Sequence, residues 1–210
     1  MKTIFCTAAA AVGLAFAAAP ALAQDASSMT FFVTSAGLGD GANLGGLAGA
    51  DANCMKLAEA AGSTGKTWVA YLSAEGVNAK DRIGAGPWQN FKGEVIATDV
   101  ANLHSDANNL TKQTALTETG GVVNGRGDTP NIHDILTGSN ADGTLAAGQT
   151  CGDWTLNGEG AAMLGHSDRM GPETLATGKS WNAAHASRGC SQDNLVSTGG
   201  AGLFYCFAAK

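Results

Sequence analysis

The chain has 210 residues, 12 basic and 18 acidic side chains, 14% charged residues and 30 glycines. That length suits one ordinary domain with a core of its own. So few cations on an acidic chain exclude the basic footprint that nucleic acid or an anionic membrane needs, and the glycine content speaks against a helical bundle.

Residues 1–23 have the make-up of a signal peptide. Lys2 gives the positive start, Thr7 to Ala19 are almost wholly small or apolar, and Ala21-Leu22-Ala23 forms a small-x-small cleavage site before Gln24. The apolar run is short for a membrane span. The expected mature protein, residues 24–210, is one secreted or periplasmic domain of 187 residues without a membrane span. Loss of Lys2 leaves it 11 basic and 18 acidic side chains, a formal charge of −7.

Thr30-Phe31-Phe32-Val33-Thr34, β-branched and aromatic, predicts a first strand. Gly37 to Gly46 follows as a turn-rich connection, since its glycine spacing matches no phosphate-binding loop and no lysine follows in place. The best helix is Ala50 to Ala61. Ala50, Cys54, Leu57, Ala58 and Ala61 make one apolar face, and Gly62 is placed to end it in a left-handed conformation. Lys66 to Ser73 alternates as a second strand. Residues 76–195 are weakly periodic and punctuated by Gly86-Pro87, Asn124-Gly125, Asp142-Gly143 and Gly171-Pro172, which predicts a large loop region. Within it a short strand is expected at Glu94 to Ala97 and a second helix around Ala101 to Leu110. A last strand is expected at Leu203 to Phe207.

Cys6 leaves with the leader, and Cys54, Cys151, Cys190 and Cys206 remain. An even count in an exported chain implies two disulfides with three possible pairings, and no pair has the close spacing of a zinc site. Because Cys54 lies on the buried helix face, a partner on the core strand, Cys206, is favoured, which leaves Cys151 with Cys190.

Four histidines stand near polar or acidic residues: His104-Ser105-Asp106, His133-Asp134, His166-Ser167-Asp168 and His185. Imidazole with carboxylate can ligate a transition metal or form a base with its orienter. No H-E-x-x-H spacing unites them, so braces for loops are the expected role, with no catalytic residue assigned and the metal left unknown. Asn140-x-Asp142-Gly143 covers part of a calcium loop, and Asp106, Asn108 and Asn109 offer further oxygens, so calcium is a possible cofactor. No Gly-x-Ser-x-Gly elbow occurs, and bridged cysteines are not nucleophiles. Arg126-Gly127-Asp128 is most simply turn chemistry. Trp68 sits on a strand, whereas Trp88, Trp154 and Trp181 lie in glycine-rich polar stretches, where an indole can stack on a sugar or fill a small loop core.

Several of these residues together resemble the endostatin-like domain of certain collagens. They are Gly49-Ala50-Asp51-x-x-Cys54, Ala61-Gly62, Ala70-Tyr71-Leu72-Ser73, Thr137-Gly138-Ser139-x-x-x-Gly143, Cys151-x-x-Trp154, Cys190 and the closing strand with Cys206. The chain is also similar to bacterial secreted proteins of lectin type. The resemblance implies an α+β, C-type-lectin-like fold with short strands, one or two helices, a large loop region and two nested disulfides. Three family features are missing. Residues 24–30 hold no histidine for the endostatin zinc site, and Trp181-Asn182-Ala183 lacks the acid of the calcium lectins. The arginines (Arg82, Arg126, Arg169 and Arg188) are too few for a heparin-binding face.

The function expected from all this is a non-enzymatic module that binds a glycan or extracellular matrix-type polymer, with Trp88, Trp181, Asp106 and Asn109 as its ligand-binding residues. A metal-dependent hydrolase built on loop His and Asp residues is the alternative, and a structural envelope or adhesion protein a further one.

Overall fold

A computed structural model describes residue 1 and residues 26–209; the expected leader, 1–23, lies almost wholly outside the described residues. Its organising element is the last strand, β8 (Gly200–Ala209). The other strands are β1 (Phe31–Val33), β2 (Thr67–Ala70), β3 (Trp88–Gln89), β4 (Val95–Ala97), β5 (Asp134–Leu136), β6 (Met163–His166) and β7 (His185–Ala186). The main sheet runs β1-β8-β5-β6-β7, with β2 also on β8, while β3 and β4 form a separate pair. The far half of β8 pairs antiparallel with β1 and β2, and its near half pairs parallel with β5.

Alternation along β8 explains why so short a set of strands holds together. Phe204, Cys206 and Ala208 face one apolar cluster with Phe32, Trp68, Leu136 and Trp154, under the long helix α1 (Gly46–Ala60). Leu203, Tyr205 and Phe207 face a second cluster with Phe31, Tyr71, Trp88, Ile96, Leu103 and Trp181, supplied by the loop region. From Gly202 to Ala208 the central strand is therefore buried on both faces.

Helix α1 presents Ala50, Cys54 and Ala58 to the first cluster, as its apolar face requires. Its end is a Schellman turn: Gly62, at φ 95°, donates to the Glu59 carbonyl, and Ser63 donates to that of Ala58. Two ties fasten α1 to the sheet. Cys54 is bridged to Cys206, and the Asp51 carboxylate accepts from the Ala70 amide at 2.8 Å and from Arg82 at 2.7 and 2.9 Å. Cys151 and Cys190 form the second bridge, so both expected pairings are present in a mixed α+β fold with short strands and small helices.

The second helix is much shorter than expected, only Val100–Leu103. Asp99 caps its start by accepting from the Asn102 amide at 2.8 Å. It stops because Ser105 and Asn108 side chains take the Asn102, Leu103 and Ser105 carbonyls that further turns would use. No helix among the described residues is long and apolar enough to cross a membrane.

Candidate metal centre

Strand register assembles a cluster that linear spacing conceals. Asp134 on β5 is directly opposite His166 on β6, and Leu164 on β6 is opposite His185 on β7. Opposed residues, and residues two apart, share a face of the sheet, so Asp134, His166 and His185 come to one side. His133, just ahead of β5, stacks on His166 with ring centroids 4.3 Å apart and planes within 8°.

All three imidazoles aim Nε2 at one atom. Asp134 Oδ1 lies 3.4 Å from His133, 3.3 Å from His166 and 3.5 Å from His185. None of these contacts has hydrogen-bond geometry: both Asp134 oxygens and His166 Nε2 are buried without a hydrogen-bond partner among the described residues. Asp134, His166 and His133 are 1%, 2% and 5% exposed, whereas the His185 side chain is 25% exposed, which makes its side the way in.

The opposite ring nitrogens are all engaged. His133 Nδ1 bonds Asp168 Oδ1 at 2.8 Å, His166 Nδ1 the Gly178 carbonyl at 2.6 Å, and His185 Nδ1 the Ala186 carbonyl at 3.0 Å. A carbonyl only accepts, so the Nδ1 proton is fixed on His166 and His185, and a neutral ring then carries its lone pair on Nε2. Asp168 is itself held by the Arg126 and Met170 amides at 2.7 and 2.9 Å. Burial opposes ionisation of Asp168, but the His133 hydrogen bond and those amides outweigh it and keep its carboxyl below the usual range.

Such an arrangement is repulsive without positive charge at its centre, because imidazole lone pairs meet carboxylate lone pairs. Three protons are a poor source of that charge, since stacked imidazoliums on His133 and His166 would repel each other. One cation fits better. His133, Asp134 and His166 each offer a ligand atom within 4.8 Å of the others, and could hold a divalent metal ion. Burial also opposes ionisation of Asp134, yet the nearby imidazoles of His166, His185 and His133 outweigh it and hold the carboxyl down at about 2. His185 is pushed up by Asp134, against the opposing effect of burial.

Two glycines permit this construction. A side chain at Gly165 would run into the Trp181 carbonyl, where segment 178–182 crosses β6, and one at Gly125 would strike the Asp168 carboxylate. The Arg-Gly-Asp turn is thus a brace behind the cluster: Arg126 binds Asp168 through its amide, and Asp128 is taken up by Lys112 and the Gly125 amide.

The expectation that these histidines only brace loops, in a protein that is no enzyme but a lectin-type binding module, is therefore corrected. A buried His133/Asp134/His166 set suited to a metal fits a metal-dependent catalytic site better than a surface for sugar. The signal was present as His-Asp at 133–134 and His-x-Asp at 166–168, but only the β5–β6 register joins them.

The four expected ligand-binding residues are scattered. Asp106 and Trp181 line one cavity of about 230 Å³ together with His104, Asn108, Arg169 and Lys179. Arg169 spans it, bonding Asn108 Oδ1 and Asp106 Oδ1, both at 3.3 Å. Trp88 and Asn109 are elsewhere: Trp88 is buried edge-on against Phe207, and exposed Asn109 donates to the Val95 carbonyl at 3.1 Å. Trp154 also lies in the core, its Nε1 donating to the Ser73 carbonyl at 2.8 Å. Of the expected calcium ligands, Asp142 spends Oδ1 on Thr144 and Asn108 spends Oδ1 on the Leu110 amide, so these oxygens close turns.

Compared with protein-family models and with curated proteins, the chain matches none.

Proposed function

We propose that this chain is an exported metal-dependent hydrolase whose metal is held by His133, Asp134 and His166. The observation that carries the reading is the convergence of buried imidazole nitrogens on an unpartnered carboxylate oxygen, with every Nδ1 already fixed by an acceptor. Acceptors behind ligating histidines set the tautomer and raise ligand basicity, and their presence separates a prepared site from a chance cluster. Imidazole-rich donor sets favour zinc and its transition-metal neighbours, whereas calcium selects oxygen, so calcium fits this set poorly. A transition metal here would supply a nucleophilic water at neutral pH, because binding lowers the water's pKa to about 7.

Export is supported by the leader-like residues 1–23 and by two disulfides, which persist in oxidising compartments. A single C-type-lectin-like domain over 24–210 is supported by the pairing of the first and last strands and by the Cys54–Cys206 tie between α1 and β8.

Metal content of the purified, oxidised protein, with turnover of chromogenic ester, phosphoester and amide probes, tests the function. One equivalent of transition metal is expected, with hydrolysis that stops on chelation and returns on metal addition. Absence of metal after reconstitution, or turnover untouched by Asp134→Asn, overturns the proposal. Stoichiometric metal with no turnover of any probe would make the centre structural.

A further inference from the structure

The cavity of about 230 Å³ lined by Arg169, Lys179, Asp106 and Trp181 includes none of the metal-cluster residues. We propose that it binds a small organic carboxylate, whose acid group pairs with Arg169 and Lys179 and whose apolar body lies against Ala141, Ala176 and Trp181. This goes beyond the metal-centre reading and does not depend on it.

The hydrogen bonding of the walls carries the assignment. Their neutral polar groups are already engaged with the protein. His104 donates from Nδ1 to the Val100 carbonyl at 2.8 Å, so its Nε2 accepts from the Tyr71 hydroxyl at 2.7 Å. Asn182 Nδ2 donates to that hydroxyl and to the Asn140 carbonyl, both at 3.0 Å, and its Oδ1 accepts from Ser180 at 3.1 Å. The Ser105 and Thr177 hydroxyls donate to the Asn102 and Ala184 carbonyls. The cations keep donors in reserve. Lys179 is exposed, and its ammonium has no partner among the described residues. Arg169 gives Nε to the Lys179 carbonyl at 3.2 Å and one N–H of each terminal nitrogen to Asn108 and Asp106, both at 3.3 Å. Each terminal nitrogen therefore retains a second N–H.

Two cations against one carboxylate leave the cavity with a positive excess that a monoanion would balance. The guanidinium fork matches the two oxygens of a carboxylate. The acid now on that fork, Asp106, has a fully exposed side chain, so an incoming carboxylate can take its place. An apolar cavity of about 150 Å³ takes up benzene, so about 230 Å³ has room for a ring bearing an acid group.

The backbone adds a second observation. Arg169 sits at φ 52°, in the left-handed region that glycine and asparagine adopt at least cost. Its amide closes a turn on the His166 carbonyl at 3.0 Å, and the Asp168 carboxylate takes the next amide, that of Met170, at 2.9 Å. Turn chemistry alone favours glycine there. An arginine held in that conformation points to a use for its side chain, since strained residues of this kind cluster at ligand clamps.

Benzoate is the probe. Mature protein is titrated by calorimetry with chelator present, so that no metal competes for the carboxylate, as wild type, Arg169→Gln, Lys179→Gln and Asp106→Asn. Saturable binding of one benzoate per chain is expected for wild type. Arg169→Gln should weaken it about ten-fold or more, the effect of losing a charged hydrogen bond, and Lys179→Gln by a smaller factor. Asp106→Asn should tighten it, because a competing acid is removed, and a merely structural role for Asp106 would give no such gain. Far-ultraviolet circular dichroism checks folding. Lys179 and Asp106 are exposed, so their variants keep the test decisive if Arg169→Gln does not fold. No saturable binding to wild type up to about 10 mM, or one affinity across all four proteins, overturns the proposal. Inorganic phosphate bound as tightly as benzoate would overturn the carboxylate assignment. Either failure leaves the metal centre standing, since none of the varied residues belongs to it.

Discussion

Asp134 and Leu136 are two residues apart on β5 and equally buried, at 1% exposure each, yet they belong to opposite worlds. Leu136 sits in the apolar cluster under α1 with Phe204, Trp68 and Trp154, where each contact removes hydrocarbon from water. Asp134 sits at the polar end of the same sheet among three imidazoles, with both oxygens unpartnered. The first region is complete as built, closed by packing and by the Cys54–Cys206 bridge. The second is a set of donors that balances only when a cation is added. Equal burial therefore signals two different things, a stabilising core in one place and a stored electrostatic demand in the other.

Breaking the first region has the largest expected effect. The Cys54→Ala/Cys206→Ala double variant opens a bridge spanning 152 residues of sequence, which the chain-entropy model values at about 5 kcal/mol. The equivalent change at Cys151 and Cys190, 39 residues apart, costs about 4 kcal/mol on the same model. Denaturant unfolding measures both, and a larger loss for the second pair would invert the comparison.

The second region responds to metal instead. Zinc at about 100 times its Kd should stabilise the wild type by about 2.7 kcal/mol, whether followed by Tm or by denaturant midpoint. Asp134→Asn should show no such increment. An equal gain in both proteins would mean that the ion binds elsewhere.

Trp154 joins the regions' logic in one side chain, apolar in bulk and polar at Nε1. Trp154→Phe leaves the buried Ser73 carbonyl without its donor and should cost about 2 kcal/mol. A neutral result would show that packing alone holds this part of the core.

The smallest expected effect is a pH dependence at His104. Burial lowers its pKa from the ordinary 6.5, assisted by the Lys80 charge and opposed by its bond to the Val100 carbonyl. The unfolded chain then holds the extra proton between the lowered value and 6.5. Stability should accordingly fall on acidification through that window and stay flat above it. Measured with chelator present, so that the metal centre does not contribute, the slope should shrink in His104→Asn. An unchanged slope would assign it to other groups.

Much of the first region was legible in the residues. The period of Ala50, Cys54 and Ala58 placed Cys54 on the buried face, and that choice of partner is the one observed. The tryptophans were only half legible. Trp88, Trp154 and Trp181 lie in polar, glycine-rich sequence, yet all are buried: Trp88 and Trp181 where long loops fold back over the second face of the sheet, and Trp154 in the cluster under α1. The second helix failed for a local reason, as Ser105 and Asn108 captured carbonyls that helical hydrogen bonding needs.

What the sequence determined by itself was whatever depends on near neighbours: strand and helix periodicity, the turn at Gly62, the cysteine count and the acidic balance. What only the tertiary structure decided was the meaning of the histidines. His133, His166 and His185 are separated by stretches of weakly periodic chain, and no spacing rule connects them. They meet because β5, β6 and β7 lie side by side in one particular register, which sets Asp134 opposite His166 and brings His185 beside them. Register is fixed by which faces the whole sheet must bury, a constraint written across the entire chain rather than in any one segment.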